Sequence, residues 1–263
     1  MKIAHCLLLL ALSSGAALRA QTKGADPTVA AQEQKARTLL QQMIQSLGGD
    51  AWLHAPGYEL IGRGAGFYHG QPTGQIQSFW DYRQPLDKER IELGKKRQVL
   101  EMYIGDKGWE VTYKGAAPIP QKELDDYLRR RTHAIDAVAR VWMKDPGALY
   151  LYGGQEQIER RLADKVTILS SSDDNVTLDL DATTHRPLRC SFDWRDPLYQ
   201  DKNTEAEEYD DYHTFNGIST AFSIVRYHNG DMTSQKFLYN AIYAGTIPPE
   251  MFSVGAAVQK LKK

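Results

Sequence analysis

Histidines, cysteines and paired acids are the residues through which a chain like this one would hold a metal or move protons, so their spacing is read first. The seven histidines form no H-E-x-x-H or H-x-H pair, and the two cysteines, Cys6 and Cys190, are far apart. Metal sites built on such motifs are therefore not expected. His213 and His228 fall on neighbouring candidate strands, where lone histidines are ordinarily surface or hydrogen-bonded groups. The acidic run Glu205, Glu207, Glu208, Asp210 and Asp211 is of the type that collects calcium or supplies paired carboxylates for acid–base work. It lacks the glycine-punctuated order of a calcium loop, and its alternation with Tyr209, Tyr212 and Phe215 reads as a solvated strand face. No G-x-S-x-G elbow, phosphate-binding loop or dinucleotide fingerprint occurs. Cys190, among Leu188, Phe192 and Trp194, reads as a small buried hydrophobe. No catalytic residue, metal or cofactor is assigned.

What remains is the chemistry of apolar surface. Gly62, Gly64 and Gly66 are two apart, so on a strand three side chains are missing from one face. That space serves either a bend and close packing or a ligand. Trp80 and Tyr82 share one strand face, Phe192 and Trp194 another, and Phe222 and Ile224 a third. Each is ordinary core taken alone; together with Trp109 and Trp142 they are the candidates for an apolar cavity wall.

The elements that must carry these residues follow from periodicity. Ala36, Leu39, Leu40, Met43, Ile44 and Leu47 recur at helical spacing, with Asp26 as cap, Pro27 at the first position and Gly48-Gly49 as the stop. From Gly57 the period changes to two, predicting strands over 58–68, 75–82, 88–93, 99–104 and 109–113. A second helix is predicted over 121–144, ended by Asp145-Pro146-Gly147. Strands then resume over 166–169, 176–180, 188–195, 205–215, 218–227 and 236–243. Connections this short join antiparallel neighbours. The predicted fold is α+β: one large antiparallel sheet of about 10–11 strands, curled by accumulated twist into an incomplete barrel, with two main helices over its concave face.

Residues 1–20 read as an export signal, with Lys2, an apolar stretch from Cys6 to Leu12 and a run rich in small residues to Ala20. Cleavage after Ala20 and after Ala17 both remain open. The apolar stretch is shorter than the roughly 18 residues that span a bilayer, and no transmembrane segment is predicted. Removing Lys2 and Arg19 would take the formal net charge from −1 to about −3, which gives no basic field for nucleic acid. Lys95-Lys96-Arg97 and Arg129-Arg130-Arg131 read as a solvated turn and a solvated helix face. Residues 21–263 are expected to form a single domain.

The N-terminal helix, Phe79-Trp80-Asp81-Tyr82-Arg83-Gln84-Pro85, Gly105-Asp106-Lys107-Gly108-Trp109 and the closing Asn240…Ile247-Pro248-Pro249…Phe252 together resemble the outer-membrane lipoprotein-sorting proteins, the LolA family. The resemblance covers most of the chain after residue 20. It implies a half-barrel with a helical lid, a cavity for lipoprotein acyl chains or other lipid, a periplasmic location, and neither catalysis nor cofactor. In that family an arginine directly before the strand-end proline helps hold the lid. Here Gln84 precedes Pro85 and Arg83 stands one residue earlier, a shift that reverses a strand side chain's face. Arg83 is the lid-latch candidate. The cavity candidates are Trp80, Tyr82, Trp109, Trp142, Phe192, Trp194 and Phe222. A monomeric lipid carrier with transient envelope protein partners is expected; the alternatives are an envelope interaction or sensor module and a hydrolase with a dispersed site.

Overall fold

The computed structural model describes residues 27–243 and 245–262; the predicted export signal and the Asp26 cap lie outside the described residues. Helix α1 (Pro27–Leu47) buries the whole predicted stripe from Ala36 to Leu47. It stops where Gly48 and Gly49 take φ of 127° and 58°, conformations that favour glycine. A short α2 (Asp50–Leu53) follows.

Seven strands come next: β1 (Tyr58–Tyr68), β2 (Gln71–Pro72), β3 (Gln77–Gln84), β4 (Lys88–Leu93), β5 (Val99–Ile104), β6 (Lys107–Thr112) and β7 (Gly115–Pro118). The predicted second helix is broken into α3 (Gln121–His133), α4 (Ile135–Arg140) and a 3-10 turn (Trp142–Lys144). Its break at Ala134, which is extended (φ −66°, ψ 158°), has tertiary causes. His133 stacks on Phe192 at 3.9 Å, and Trp142 turns back so that its Nε1 donates to the Thr132 carbonyl at 2.8 Å.

Seven further strands complete the sheet: β8 (Leu149–Ile158), β9 (Arg161–Leu169), β10 (Asn175–Asp181), β11 (Pro187–Arg195), β12 (Lys202–Phe215), β13 (Ile218–His228) and β14 (Asp231–Ile242). A 3-10 turn (Pro249–Phe252) and α5 (Val254–Leu261) close the chain. All pairs are antiparallel, in the order β7-β6-β5-β4-β3-β1-β14-β13-β12-β11-β10-β9-β8, with β2 on β1. Two-residue turns such as Asn216-Gly217 and Asn229-Gly230, with positive φ at both positions, link neighbours with the strands' own twist.

The sheet has fourteen strands and does not close: β7 and β8 are its edges. It is nevertheless strongly curled. Tyr127 of α3 stacks on Tyr103 of β5 at 3.5 Å, and two residues later Arg129 lies 3.5 Å over Trp194 of β11. Those strands are seven places apart in the order, about 34 Å on a flat sheet, and curling around the helix brings both within side-chain reach. Helices α1 and α4 fill the trough over β8–β13, where Leu40, Met43 and Val138 meet Val166, Ile168, Leu178 and Leu180, all at most 1% exposed. On the opposite face, Ala257 of α5 packs on Leu100, Met102 and Val111. No described helix is long and apolar enough to cross a membrane.

Candidate functional site

Helix packing stops short in the middle of the trough. Between β12, β13, β14, β1, β3, β4 and β5 on one side and α2, α3 and α4 on the other lies a cavity of about 610 Å³, within the roughly 300–1,000 Å³ of small-molecule sites. Its apolar walls come from Leu47, Trp52, Leu60, Phe79, Ile91, Leu93, Ile224 and Leu238. Thr73, Gly74 and Gln75 form an exposed rim, so it opens to solvent.

The glycine pattern on β1 contributes in two ways. A Cβ on Gly62 would lie 2.4 Å from the Phe237 carbonyl oxygen and 2.8 Å from the Phe79 ring, at a register shift between Ile61 and Gly62. This glycine serves close packing and a bulge. Gly64 and Gly66 line the cavity. Opposite Gly64 in the register stands Lys236, whose stem would be 3.4 Å from a Cβ there and whose Nζ lies 5.3 Å over the Phe79 ring. The missing side chain lets the lysine lie across β1.

The polar part of the wall is an ordered set of charges. Arg83 reaches Asp81 at 2.8 Å and Glu89 at 2.9 Å, and Glu89 accepts a 2.6 Å hydrogen bond from the Tyr127 hydroxyl of α3. Through Glu89 the arginine is thus tied to a covering helix. Tyr58 makes a second tie, donating to Asp136 of α4 at 2.9 Å. Burial raises the Glu89 carboxyl, opposed by the charge of Arg83. Glu207 pairs with Arg226 at 2.7 Å; burial pushes its carboxyl up, but the charge and hydrogen bonds of Arg226 prevail and hold it at about 2. Glu101, bonded by the Tyr103 hydroxyl at 3.3 Å, is raised by burial.

The aromatic residues singled out in the sequence sit elsewhere, and none of the seven is among those lining the cavity. Trp80, Tyr82 and Trp109 are on the outer face: Arg97 stacks 3.8 Å over Trp80 and approaches the Tyr82 hydroxyl, and Trp109 packs beneath α5. Trp142 is buried in the helix-filled core. Phe192 lies under His133, Trp194 under Arg129, and Phe222 against Phe215 at 5.3 Å. Arg83 does line the cavity.

Two further expectations are corrected. Of the acidic run, Asp210 and Asp211 are exposed, but Glu205 and Glu207 face inward with Tyr209. The basic run of α3 is not a solvated face, because Arg129 covers Trp194, Arg130 lines the cavity, and Arg131 donates to the Gly105 carbonyl at 2.6 Å. His213 and His228 do not meet, since their cross-strand partners Thr220 and Glu205 set them at opposite ends of the β12–β13 pair. No group of three or more potential metal ligands occurs among the described residues. The residues missed by sequence reading, Asp81, Glu89, Arg226 and Lys236, had a signal: each shares a period-two face with Phe79, Ile91, Ile224 or Leu238.

No protein-family model and no curated protein matches the sequence. Solved structures do match in shape. A DUF1329 family protein from Desulfovibrio piger superposes with a TM-score of 0.58 at 12% identity, over 86% of this chain and 99% of that one. An outer membrane lipoprotein-sorting protein domain from Vibrio parahaemolyticus gives 0.54 at 8% identity, over 86% and 99%. A LolA superfamily protein from Nitrosomonas europaea gives 0.51 at 12% identity, over 83% and 97%. The chain has the LolA-type fold. At such identities the likeness speaks for the fold alone.

Proposed function

We propose that this protein is a non-catalytic periplasmic carrier that shields the acyl chains of lipoproteins or other lipids from water, after export directed by residues 1–20. The observation that carries the reading is the 610 Å³ cavity left between curled sheet and helices. Each methylene buried there would contribute about 0.8 kcal/mol, so a modest length of chain gives useful affinity while still allowing hand-over. The description of one similar structure as a lipoprotein-sorting domain supports the same direction.

The test is to purify the protein from a membrane-containing lysate, extract it and analyse the extract by lipid mass spectrometry, alongside displacement of a neutral apolar fluorophore by added lipid. Co-purifying lipid and displacement are expected. Neither appearing would refute the reading.

A further inference from the structure

Two cations in the cavity wall have no ion pair among the described residues. Lys236 makes no ion pair or hydrogen bond among the described residues; its Nζ lies over the Phe79 ring, and the charges of Asp81, Glu89, Glu101 and Glu207 act on it through space without contact. Arg130, also on the wall, has neither an ion pair nor a hydrogen bond among the described residues. The acids of the wall make their closest contacts with other groups, although Asp81 and Glu89 share the single Arg83 and their charge also favours Lys236, as that of Glu205 and Glu207 favours Arg130. Asp81 and Glu89 are held by Arg83, Glu207 by Arg226, Asp136 by Arg140 at 3.2 Å, and Glu205 by His228 at 3.3 Å. Glu101 is bonded by the Tyr103 hydroxyl at 3.3 Å; burial raises its pKa, and the charge of Lys236 opposes that rise.

Register brings the free cations to one region. Arg226 is paired with Ser234 and Lys236 with Ile224, which makes Arg226 and Lys236 diagonal neighbours, about 7–8 Å apart by Cα. Arg226 and Arg130 both line a second, smaller pocket together with Glu205 and Glu207. Burial also lowers the pKa of Lys236. Unpaired cations held against apolar walls are costly. A counter-ion arriving with the ligand would relieve that cost.

We propose that the ligand is an amphiphile with a single acid head, carboxylate or phosphate, seated between Lys236 and Arg130 beside the Arg226–Glu207 pair, with its chain along Leu60, Phe79, Ile91 and Leu238. The inference rests on the lipid-binding reading above and names the ligand class for that same site. A diacylglycerol-type chain pair without charge would leave both cations unanswered.

The experiment measures displacement of N-phenyl-1-naphthylamine from the full mature chain by palmitate, hexadecyl phosphate, methyl palmitate and inorganic phosphate. Palmitate or hexadecyl phosphate is expected to displace at roughly tenfold lower concentration than methyl palmitate, the size of one charge-assisted hydrogen bond. K236M and R130Q should each remove most of that preference, read as the ratio of ester to acid concentrations within each variant, and a cooperative thermal melt reports that the variants are folded. Equal potency of acid and ester in the wild type would overturn the acid-head proposal and leave the lipid cavity standing, as would a preference surviving in the folded K236M/R130Q double variant. Displacement by inorganic phosphate alone would mean a free-anion site and equally overturn it. If no lipid displaces the probe, the carrier reading itself falls.

Discussion

Two carboxyls in this protein have been pushed in opposite directions, with opposite consequences for stability. Asp179 of β10 is 2% exposed, on the face away from the helices, and burial followed by the hydrogen bond and charge of Glu156 pushes it up to about 7. An acid that binds its proton more tightly when folded is penalised as pH rises: the penalty is absent below the unfolded value near 4 and complete above 7. D179N should therefore stabilise the protein by about 1–2 kcal/mol at pH 8.5 and change little at pH 4. Urea unfolding at the two pH values checks this, and an equal effect at both would show that titration is not the cause. Glu207 is the reverse case, held at about 2 by Arg226 against its burial. Its stabilising contribution is complete above its unfolded value and is lost as pH falls toward 2. Acid unfolding in this chain thus has an identifiable local contributor inside the cavity wall.

Among the elements, the C-terminal helix shows how a buried charge fastens one part of the chain to another. Arg90 and Glu92 of β4 pair at 2.7 Å with side chains 3% and 1% exposed, and Arg90 donates to the Met251 carbonyl at 2.8 Å. Lys260 of α5 approaches the same Glu92 carboxylate at 3.7 Å. E92A strands a buried guanidinium and should cost about 3–5 kcal/mol, whereas R90M/E92L removes both charges and should recover most of the loss. Thermal unfolding of the two variants decides it; a double variant as unstable as the single one would mean that the Met251 contact, not charge burial, dominates. This helix was not legible in the sequence, because Val254, Ala257, Val258 and Leu261 give barely two turns of pattern. Strand β8 was hidden for another reason. Leu149 and Leu151 are exposed at the sheet edge, and Gly153-Gly154 resembles a turn but is an irregularity within the strand, with Gly154 at φ 84°. By contrast β1, β4 and β5 match their predicted spans residue for residue, since uninterrupted period-two segments bounded by turns leave little freedom. The predicted second helix had the right extent, yet at its break His133 stacks on Phe192, nearly sixty residues away in the chain, a contact that no local pattern encodes.

At the scale of the whole molecule, curl and unfilled space are the properties that matter, and they were legible to different degrees. Curl follows from strand number and twist and was expected. The position of the space was not, because the largest aromatic side chains were the obvious candidates for its wall and instead sit elsewhere: Trp142 in the helix-filled core, Phe192 under His133, and Trp80 and Trp109 on the outer face. The hollow persists where glycines remove side chains and charged residues resist close packing, around Gly64, Glu89, Arg226 and Lys236. Such a cavity leaves stabilisation unrealised in the empty protein, and a ligand that binds only the folded state recovers it by mass action. At a hundredfold excess over Kd the gain is about 2.7 kcal/mol, which for a chain of this size raises Tm by roughly 5–10 °C. A221F/I224F, which adds bulk to two residues of the wall, should raise the Tm of the empty protein and shrink the ligand-induced rise. A thermal melt with and without palmitate measures both. If the variant's Tm rises but the ligand shift is undiminished, the ligand binds outside this hollow, and the link between curled sheet, missing core and carriage is broken.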